Sequence, residues 1–317
     1  RLTDVTGVQT CALPISCQSS ALRRPFTPMT HRPPRFPAWM KKAFSPGAED
    51  TVGSVLSELR LNTVCREASC PNRNECFGEG TATFLIMGRA CSRNCRFCDI
   101  AHAVPAPLDP DEPRRVAEAA RRLKLRFVVV TSVTRDDLPD GGAEHFAQTI
   151  RELRKTTVEG IEVLVPDFQG DEAALGLVLA ERPEVFNHNV ETIPRLYPLA
   201  RPQANYERSL AVLKAASDRG LVTKSGIMVG LGELPHEVHA TIRDLAWNGV
   251  SILTVGQYLA PSSEHLPVTE FVSPARFDYY AALARAQGLR AVMSGPFVRS
   301  SYSAHAAWQA ASVSTGA

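Results

Sequence analysis

The feature that most constrains the fold is a regular alternation, from about residue 81 onward, of short apolar runs and stretches with helical periodicity. The runs are rich in β-branched residues and almost continuously apolar, as expected for parallel strands that helices cover. The predicted strands are residues 82–87, 127–132, 161–165, 185–189, 223–229 and 252–258. The predicted helices are residues 112–123, 142–154, 171–180, 206–219, 236–248 and 274–287. Six such units in sequence predict an α/β fold with a right-handed parallel sheet.

The number of these units decides between two architectures. Six units are too few to close an eight-stranded barrel, so we predict a partial (β/α)6 barrel of parallel strands, with a doubly wound open sheet as the alternative. The barrel would span residues 81–290, between an N-terminal extension over 21–80 and a C-terminal segment over 291–317. Residues 1–16 resemble a translated sequencing adapter, and we expect residues 1–20 to be a non-native or disordered leader.

Charge and hydropathy narrow the classes of partner. The net charge is +2 over 317 residues, which gives no overall signal for nucleic-acid binding. No apolar run reaches 18 residues, so the sequence predicts no transmembrane helix and no membrane partner. Residues 23–42 are basic and rich in proline. They would form a solvated extended arm, a surface for an acidic partner, or an organellar transit peptide.

Six of the eight cysteines fall between residues 65 and 98, in two sets of three with different spacings. The first thiol set is Cys65, Cys70 and Cys76, and the second thiol set is Cys91, Cys95 and Cys98. A cubane iron–sulfur cluster has four irons, so each set would leave one iron without a cysteine. An iron with an open position can bind a ligand or substrate, so the spacing indicates chemistry in preference to simple electron transfer.

The alternatives for these thiols are disulfides, a zinc site or buried packing. Disulfides suit small secreted chains without a sufficient core, whereas this chain is 44% hydrophobic over 317 residues. Structural zinc favours four ligands in paired C-x2-C knuckles, and only Cys95 and Cys98 have that spacing. The second set therefore favours a cluster more strongly than the first. Thiols available to iron also indicate a reducing compartment; we expect the cytoplasm, with a mitochondrial or plastid matrix as the open alternative.

Polar residues and glycines follow the ends of several predicted strands. In parallel α/β barrels, functional residues collect at the carboxyl ends of the strands. The second thiol set follows the first predicted strand. We expect the following residues to share one mouth with it: Thr131, Ser132, Asn189, Glu191, Gly230 and Gly232.

The spacing Cys-x3-Cys-x-aromatic-Cys after a first strand resembles the signature of radical S-adenosylmethionine enzymes. The similarity extends to CREASCPNRNECF, RACSRNCRFCDIAHA, TSVTRDDLPDGGAEHF, LVPDF, FNHNVET, TKSGIMVGLGE, LTVGQYLAPS and GPFVRSSYSA, which together resemble the lipoyl synthase family. The resemblance covers roughly residues 55–305 with order and spacing intact, and it does not cover residues 1–20.

The resemblance implies two [4Fe–4S] clusters and S-adenosylmethionine as cofactors. In that family the second thiol set holds the catalytic cluster, whose open iron S-adenosylmethionine chelates. The first thiol set and a serine of an RSSY motif, Ser301 here, hold an auxiliary cluster. The implied reaction inserts two sulfur atoms from the auxiliary cluster at C6 and C8 of an octanoyl chain attached to a protein lysine. The implied partners are octanoylated lipoyl carrier domains (2-oxoacid dehydrogenase E2 subunit, glycine cleavage H protein), an electron donor and an iron–sulfur carrier protein.

Several expected S-adenosylmethionine contacts have structural alternatives. Asn189 and Glu191 would contact the ribose or carboxylate, or else act in caps and packing. Gly230 and Gly232 suit close backbone approach to the adenine. The backbone carbonyls of Thr131 and Ser132 would receive the methionine ammonium.

Four further residues stay open. Arg135 would pair with the S-adenosylmethionine carboxylate or the carrier domain, or with a salt-bridge cluster at a helix cap. We interpret His188 as a satisfied core histidine in preference to a ligand. Lys224 and Arg299 would stabilise an anionic auxiliary cluster or be ordinary local charges. Two alternative functions also stay open: another radical sulfurtransferase such as a methylthiotransferase, and an iron–sulfur electron-transfer protein.

Overall fold

The computed structural model describes residues 36–41, 49–68, 70, 72 and 83–313. The predicted leader at residues 1–20 and Cys76 of the first thiol set lie outside the described residues. The strands are β1 (Asn62–Thr63), β2 (Thr83–Ile86), β3 (Ala90–Cys91), β4 (Ala101–His102), β5 (Phe127–Ser132), β6 (Gly160–Leu164), β7 (Val185–Asn187), β8 (Val222–Val229), β9 (Ile252–Gln257) and β10 (Ala291–Gly295).

Eight of these strands form one sheet in the order β1-β2-β5-β6-β7-β8-β9-β10. β1 is antiparallel to β2, and the other neighbouring pairs are parallel. The strands β3 and β4 form a separate parallel pair. Because the seven parallel strands point the same way, their carboxyl ends meet at one edge of the sheet.

Helices lie between and after the strands, and those that connect the parallel strands cover one face of the sheet. They are α1 (Glu49–Glu58), α2 (Val64–Glu67), α3 (Glu112–Arg122), α4 (Ala143–Arg154), α5 (Glu172–Ala180), α6 (Tyr197–Ala200), α7 (Tyr206–Asp218), α8 (Pro235–Trp247), α9 (Pro274–Ala286) and α10 (Ala304–Val313). Short 3-10 helices occur at Ala38–Met40, Phe168–Gly170 and Pro194–Leu196. Within the described ranges, none of the helices combines the length and apolar character needed to cross a bilayer.

The predicted alternation of strands and helices is confirmed, and each predicted element lies within two residues of its observed ends. The predicted count of six parallel strands is wrong, because β10 pairs with β9 and adds a seventh. The sheet therefore continues beyond residue 290. The sequence of β10, AVMSG, has only three apolar residues before its serine and glycine, so it gives little strand signal.

The two faces of the sheet have different partners. Val128 and Val130 of β5 pack in a core that includes Phe146 of α4. Phe127 and Val129 of the same strand pack with residues of α10. Alternate residues of a strand point to opposite faces, so the connecting helices cover the outer face and α10 packs on the inner face.

The position of α10 shows that the sheet is strongly curved. This helix contacts β5, β8, β9 and β10, and β5 and β10 are five strand positions apart. In a flat sheet, five spacings would separate them by about 24 Å, whereas a helix with its side chains is about 10–12 Å wide. The sheet must therefore curl around α10. The predicted partial barrel is confirmed, with α10 inside it at the amino ends of the strands.

Candidate active site

A cavity of about 600 Å³ lies at the carboxyl ends of the parallel strands. Thr131 and Ser132 of β5, Leu164 of β6 and Gln257 of β9 line its wall. The described members of both thiol sets and a serine near the end of the chain also line it: Cys65, Cys70, Cys91, Cys95, Cys98 and Ser301. The fold thus brings segments separated by more than two hundred residues of sequence to one cavity.

The loop after β2 presents the second thiol set. Cys91 ends β3, which pairs with β4 on the far side of the loop, so the loop is closed at its base. The Cys91 sulfur accepts hydrogen bonds from the backbone N–H groups of Arg93 (3.4 Å) and Thr134 (3.3 Å). These two contacts fix the position of the Cys91 side chain between its own loop and the loop after β5.

Backbone hydrogen bonds attach the same loop to neighbouring loops of the barrel. The Arg96 N–H donates to the Ala200 carbonyl at 2.9 Å, and the Leu266 N–H donates to the Arg96 carbonyl at 3.0 Å. His265 Nε2 lies 3.1 Å from the carbonyl oxygen of Cys98. The positions of these thiols are therefore set by the barrel and not by the loop alone.

A buried arginine inside the loop makes the strongest of these attachments. The Arg93 side chain is 5% exposed and donates to Asp136 at 2.6 and 2.9 Å and to Asp167 at 2.6 Å. Burial disfavours the charge of Arg93, but the two carboxylates outweigh it and raise the pKa of the guanidinium. Burial likewise works against the Asp167 carboxylate, yet Arg93 lowers its pKa to about 2. Arg93 and Asp167 are therefore both charged at neutral pH.

The half-buried thiols of the second set are suited to a cationic metal centre. Burial raises the pKa of Cys95, although the nearby Arg201 guanidinium opposes the shift. Burial also raises the pKa of Cys98 to about 12. A bound metal reverses this effect, because a coordinating thiol is deprotonated. Cys91, Cys95 and Cys98 carry no disulfide, and soft thiolates are the ligands of iron–sulfur clusters. The donor set fits such a cluster.

Two buried polar atoms on the cavity wall have no hydrogen-bond partner in the part of the chain that the structure describes. They are Ser132 Oγ and Arg201 Nε. A buried donor or acceptor without a partner is costly, so these atoms suit a ligand that supplies polar groups to the wall. Amino, carboxylate and ribose groups, as in S-adenosylmethionine, fit that requirement.

The first thiol set reaches the cavity from the edge of the sheet that β1 and β2 form. Cys65 lies in α2, and Thr63 caps this helix by accepting a hydrogen bond from the Cys65 N–H at 3.2 Å. The Thr63 hydroxyl donates in turn to the Thr83 carbonyl at 2.7 Å, which ties the cap to β2. Cys65 and Cys70 also line a smaller recess together with Ser301. The fold therefore brings the two described cysteines of this set and Ser301 to one recess.

The C-terminal segment is positioned by contacts with both β9 and the first thiol set. The Asn72 side chain donates to the Phe297 carbonyl at 2.7 Å. A β-carbon at Gly256 would lie 2.2 Å from the Val298 carbonyl oxygen. The backbone before Ser301 therefore packs directly on β9, and only glycine at position 256 permits this approach.

Asn189 and Glu191, the predicted polar residues after the fourth predicted strand, both line the cavity. Asn189 Nδ2 donates to Glu191 Oε1 at 3.1 Å. The Glu191 backbone, at φ 66°, accepts from the Met228 N–H at 2.7 Å and donates to the Gly226 carbonyl at 2.9 Å. Burial raises the pKa of Glu191, and the charge of Arg201 opposes that shift. The pair presents polar groups to any ligand of the cavity.

Gly230 and Gly232 are not among the described residues that line the cavity. A β-carbon at Gly230 would lie 2.2 Å from Gln257 Nε2 and 2.5 Å from the Glu270 carbonyl oxygen. The close approach predicted for Gly230 is therefore to protein atoms. Gly226, four residues earlier and within β8, does lie on the cavity wall.

Two residues with open roles have protein partners. Arg135 is 2% exposed and forms a forked pair with Asp137, with contacts of 2.9 and 2.8 Å, which matches the salt-bridge alternative. His188 Nδ1 lies 2.8 Å from the Val165 carbonyl and its Nε2 lies 3.0 Å from Ser209 Oγ. Burial lowers the His188 pKa to about 4, so this residue is a neutral core histidine at the back of the cavity wall.

The two remaining open residues differ from each other. Lys224 is fully buried, and its Nζ lies 2.9 Å from both carboxylate oxygens of Glu162. Arg299 lines the cavity and donates to the Val298 carbonyl at 2.7 Å. Burial lowers the pKa of Arg299, and the nearby Cys70 opposes the shift. Lys224 is thus paired within the barrel, whereas Arg299 is a charge beside the first thiol set.

Arg201 is a cavity residue that the sequence does not reveal. It follows α6, and its Nη1 donates to the Asn189 carbonyl at 2.9 Å. Its guanidinium lies 5.3 Å from the centroid of the Tyr197 ring. A single arginine in a proline-containing loop looks like any surface arginine in sequence, so no local pattern distinguishes it.

Comparison with known proteins first defines the class. The model described as "Radical SAM superfamily" matches residues 85–245. Streptococcus suis SuiB bound to S-adenosylmethionine has a similar fold, with a TM-score of 0.54 at 10% identity, covering 66% of this chain and 48% of that chain. The maturase HydG has a TM-score of 0.51 at 18% identity, covering 75% and 54%. Fold and family model together define a radical S-adenosylmethionine enzyme, a class that uses a [4Fe–4S] cluster.

Curated relatives define the family within that class. The lipoyl synthase of Caldanaerobacter subterraneus subsp. tengcongensis is 54% identical over 272 residues, which cover 85% of this chain and 96% of the relative. That of Methylococcus capsulatus is 53% identical over 284 residues, covering 88% of each. The chain belongs to the lipoyl synthase family.

Proposed function

We propose that this protein holds one cluster on each thiol set and that both clusters face the cavity at the carboxyl ends of the strands. The second thiol set would hold the [4Fe–4S] cluster that binds S-adenosylmethionine. The first thiol set and Ser301 would hold an auxiliary [4Fe–4S] cluster. The observation that carries this proposal is that Ser301 lines the same cavity as Cys65, Cys70 and the second thiol set.

The chemistry supplied by the bound groups is radical chemistry. The second thiol set would hold the cluster that, with S-adenosylmethionine and one electron, would supply radical hydrogen abstraction from an unactivated carbon. The first thiol set and Ser301 would hold the cluster from which sulfur would be supplied to C6 and C8 of an octanoyl chain. The protein's own task is to bind, orient and exclude water. Cavity residues such as Leu85, Phe97 and Val129 provide apolar surface for the acyl chain.

Polar residues of the cavity wall would orient S-adenosylmethionine. Ser132 Oγ and Arg201 Nε are buried and lack protein partners among the described residues, so they would bond the polar groups of the cofactor. Asn189 and Glu191 would contact its ribose or carboxylate. The backbone carbonyl of Thr131 would accept from the methionine ammonium. Gly230 and Gly232 follow β8 and would affect cofactor binding only through the backbone at the end of that strand.

The apolar part of the cavity lining supports the proposed substrate class. An octanoyl-lysine arm would reach into the cavity, while the folded carrier stays outside it. We infer that the partners are octanoylated lipoyl carrier domains of 2-oxoacid dehydrogenase E2 subunits and the glycine cleavage H protein, together with an electron donor and an iron–sulfur carrier protein. The oxygen-sensitive thiol chemistry implies a reducing compartment such as the cytoplasm.

One experiment tests the whole proposal. The full chain, reconstituted anaerobically with iron and sulfide, is incubated with reductant, S-adenosylmethionine and an octanoyl-lysine peptide, and the peptide mass is measured. We expect a product with two added sulfur atoms and about eight irons per chain, as for two cubanes. Cleavage of S-adenosylmethionine without sulfur insertion would favour another radical enzyme of the methylthiotransferase kind. Bound zinc without sulfide would contradict the proposal.

A further inference from the structure

Ser300, the neighbour of Ser301, joins the C-terminal segment to the opposite wall of the cavity. Its Oγ lies 2.9 Å from Asn187 Nδ2 and 3.1 Å from Asn189 Oδ1. Asn187 ends β7 and is fully buried, and Asn189 lines the cavity. One hydroxyl therefore connects the segment that presents Ser301 to the strand end proposed to contact S-adenosylmethionine.

The direction of each hydrogen bond in this connection is fixed by a buried ion pair. Lys224 Nζ lies 2.9 Å from both side-chain oxygens of Glu162, the geometry of a buried ion pair. A carboxylate only accepts hydrogen bonds, so the Asn187 amide must present its nitrogen to Glu162, at 2.8 Å. The same nitrogen donates its second hydrogen to Ser300.

The rest of the chain of hydrogen bonds follows from that first assignment. Because Ser300 accepts from Asn187, its single hydrogen is free to be donated to Asn189 Oδ1. The Asn189 nitrogen then faces Glu191 and donates to it at 3.1 Å. The order from the buried ion pair to the cavity is thus Glu162, Asn187, Ser300, Asn189, Glu191. In this series the Ser300 hydroxyl accepts one hydrogen bond and donates another. No apolar side chain can replace it.

The two ends of this series of hydrogen bonds differ in their freedom to move. The side chains of Glu162 and Lys224 are fully buried, so the end of the hydrogen-bond series at Glu162 is fixed. Asn189 and Glu191 lie on the cavity wall, where a ligand can contact them. A ligand that orders Asn189 therefore also orders the Ser300 hydroxyl and the backbone on which Ser301 lies.

We propose that Ser300 is a positioning residue that couples S-adenosylmethionine binding to the placement of Ser301. This inference rests on the proposed function, in which Asn189 and Glu191 contact the cofactor and Ser301 is an auxiliary ligand. With the cofactor bound, the ordered chain of hydrogen bonds holds residues 296–303 in place. Without the Ser300 hydroxyl, cofactor binding and Ser301 placement become independent.

Hydrogen exchange tests the coupling without requiring turnover. The full chain with oxidised clusters is compared with and without S-adenosylmethionine, and amide exchange is followed in the peptide covering residues 296–303. In the parent protein we expect the cofactor to slow exchange in this peptide. Ser300→Ala should remove that cofactor-dependent slowing, and Ser300→Thr, which keeps the hydroxyl, should restore it. Ser303→Ala, on an exposed residue of the same segment, is the matched control and should behave as the parent.

A second measurement reads the chemical consequence. The ratio of 5′-deoxyadenosine released to sulfur inserted should rise about fivefold or more in Ser300→Ala, the factor expected for loss of one hydrogen bond. The ratio should stay at the parent value in Ser300→Thr and Ser303→Ala. A purely structural defect would lower both products together and leave their ratio unchanged.

The outcomes separate this inference from the proposed function. If the parent protein inserts no sulfur, the proposed function fails, whatever Ser300 does. If the parent inserts sulfur and Ser300→Ala matches it in both exchange and product ratio, only the coupling role is overturned. If Ser300→Thr fails to restore either measurement while it folds and binds iron as the parent does, the hydroxyl is not the coupling group and the inference is likewise overturned.

Discussion

The two thiol sets line one cavity but are attached to the protein in different ways. The loop of the second set is bonded to neighbouring loops of the barrel and contains Arg93, which is buried between two carboxylates. Cys65 of the first set lies in a four-residue helix beside the edge strand β1, and Asn72 bonds the same region to the C-terminal segment. The barrel itself therefore holds one set, and two peripheral segments together hold the described part of the other.

This difference agrees with the roles proposed for the two sets. A cluster that takes part in every turnover benefits from fixed, buried surroundings, as around Arg93. A cluster that gives up sulfur must be reached, opened and rebuilt, which is easier between two peripheral segments. Two thiol sets that line one cavity can therefore be held with different rigidity. Variants at the residues that hold each set can test this.

The largest expected contrast comes from removing one thiol of each set. Cys91→Ala should abolish cleavage of S-adenosylmethionine, because the proposed catalytic cluster loses a ligand. Cys70→Ala should keep cleavage and lose sulfur insertion. Both products are measured with the octanoyl-lysine peptide, with iron content as a check on loading. Loss of both activities in both variants would show that the division of labour between the sets is wrong.

The next effect concerns the rigid side of the comparison. Arg93→Met removes the buried partner of Asp136 and Asp167 and leaves Asp167 with Arg208 alone, at 3.2 Å. Breaking a buried ion pair costs about 3–5 kcal/mol, and the contact with Arg208 places the expected cost at the lower end of that range. We expect the midpoint of urea unfolding to fall accordingly, together with the iron bound by the second thiol set. Arg114→Ala, at a side chain that is 72% exposed, is the control and should leave both unchanged. An Arg93→Met protein as stable as the parent would show that the loop is not held by this cluster.

Acid should lower the free energy of unfolding through His188, which lies on the cavity wall. His188 is neutral in the folded state, where burial lowers its pKa to about 4, against about 6.5 in the unfolded chain. The unfolded state therefore binds the extra proton between these values, so stability is complete above pH 6.5 and falls as the pH drops to 4, by about 3 kcal/mol in total. Unfolding measured across this window should show a shallower pH dependence in His188→Gln. If the free energy of unfolding changed equally with pH in the two proteins, His188 would not be the cause of the loss of stability.

The smallest effect concerns the peripheral side. Thr63→Val removes the cap of α2 and the bond to Thr83 while keeping the shape of the side chain, at a cost of about 1 kcal/mol. We expect reduced iron in the first thiol set and unchanged cleavage of S-adenosylmethionine. Thr156→Val, which removes a similar bond to the Leu153 carbonyl far from the cavity, is the matched control and should bind iron normally. Normal iron loading in Thr63→Val would contradict the role given to this cap.

Much of the fold is predictable from sequence because parallel strands give local signals. Continuous apolar runs and intervening amphipathic stretches locate six strands and their helices to within two residues. The strand β10 and the helix α10 lack such signals. The sequence of α10, AHAAWQAASV, is rich in alanine, and only its packing inside the curved sheet explains it.

The candidate site is predictable to the extent that it follows strand ends. The second thiol set, Thr131 and Asn189 all lie on the cavity because their strands end at the same edge. Ser301 is identified only through the family resemblance, since a serine near the end of a chain carries no signal of its own. Arg201 and Ser300 act through contacts with residues distant in sequence, and such contacts appear only once the chain is folded.

The helix α10 inside the barrel has a consequence for biosynthesis. Its alanines cover inward-facing residues such as Phe127 and Ile252 at the amino ends of the strands. A nascent chain that has left the ribosome only as far as residue 290 lacks this cover, so its partly built barrel exposes an apolar interior to water. We therefore expect productive assembly to wait for residues 291–313, and we expect the unfinished polypeptide to be prone to aggregation until then.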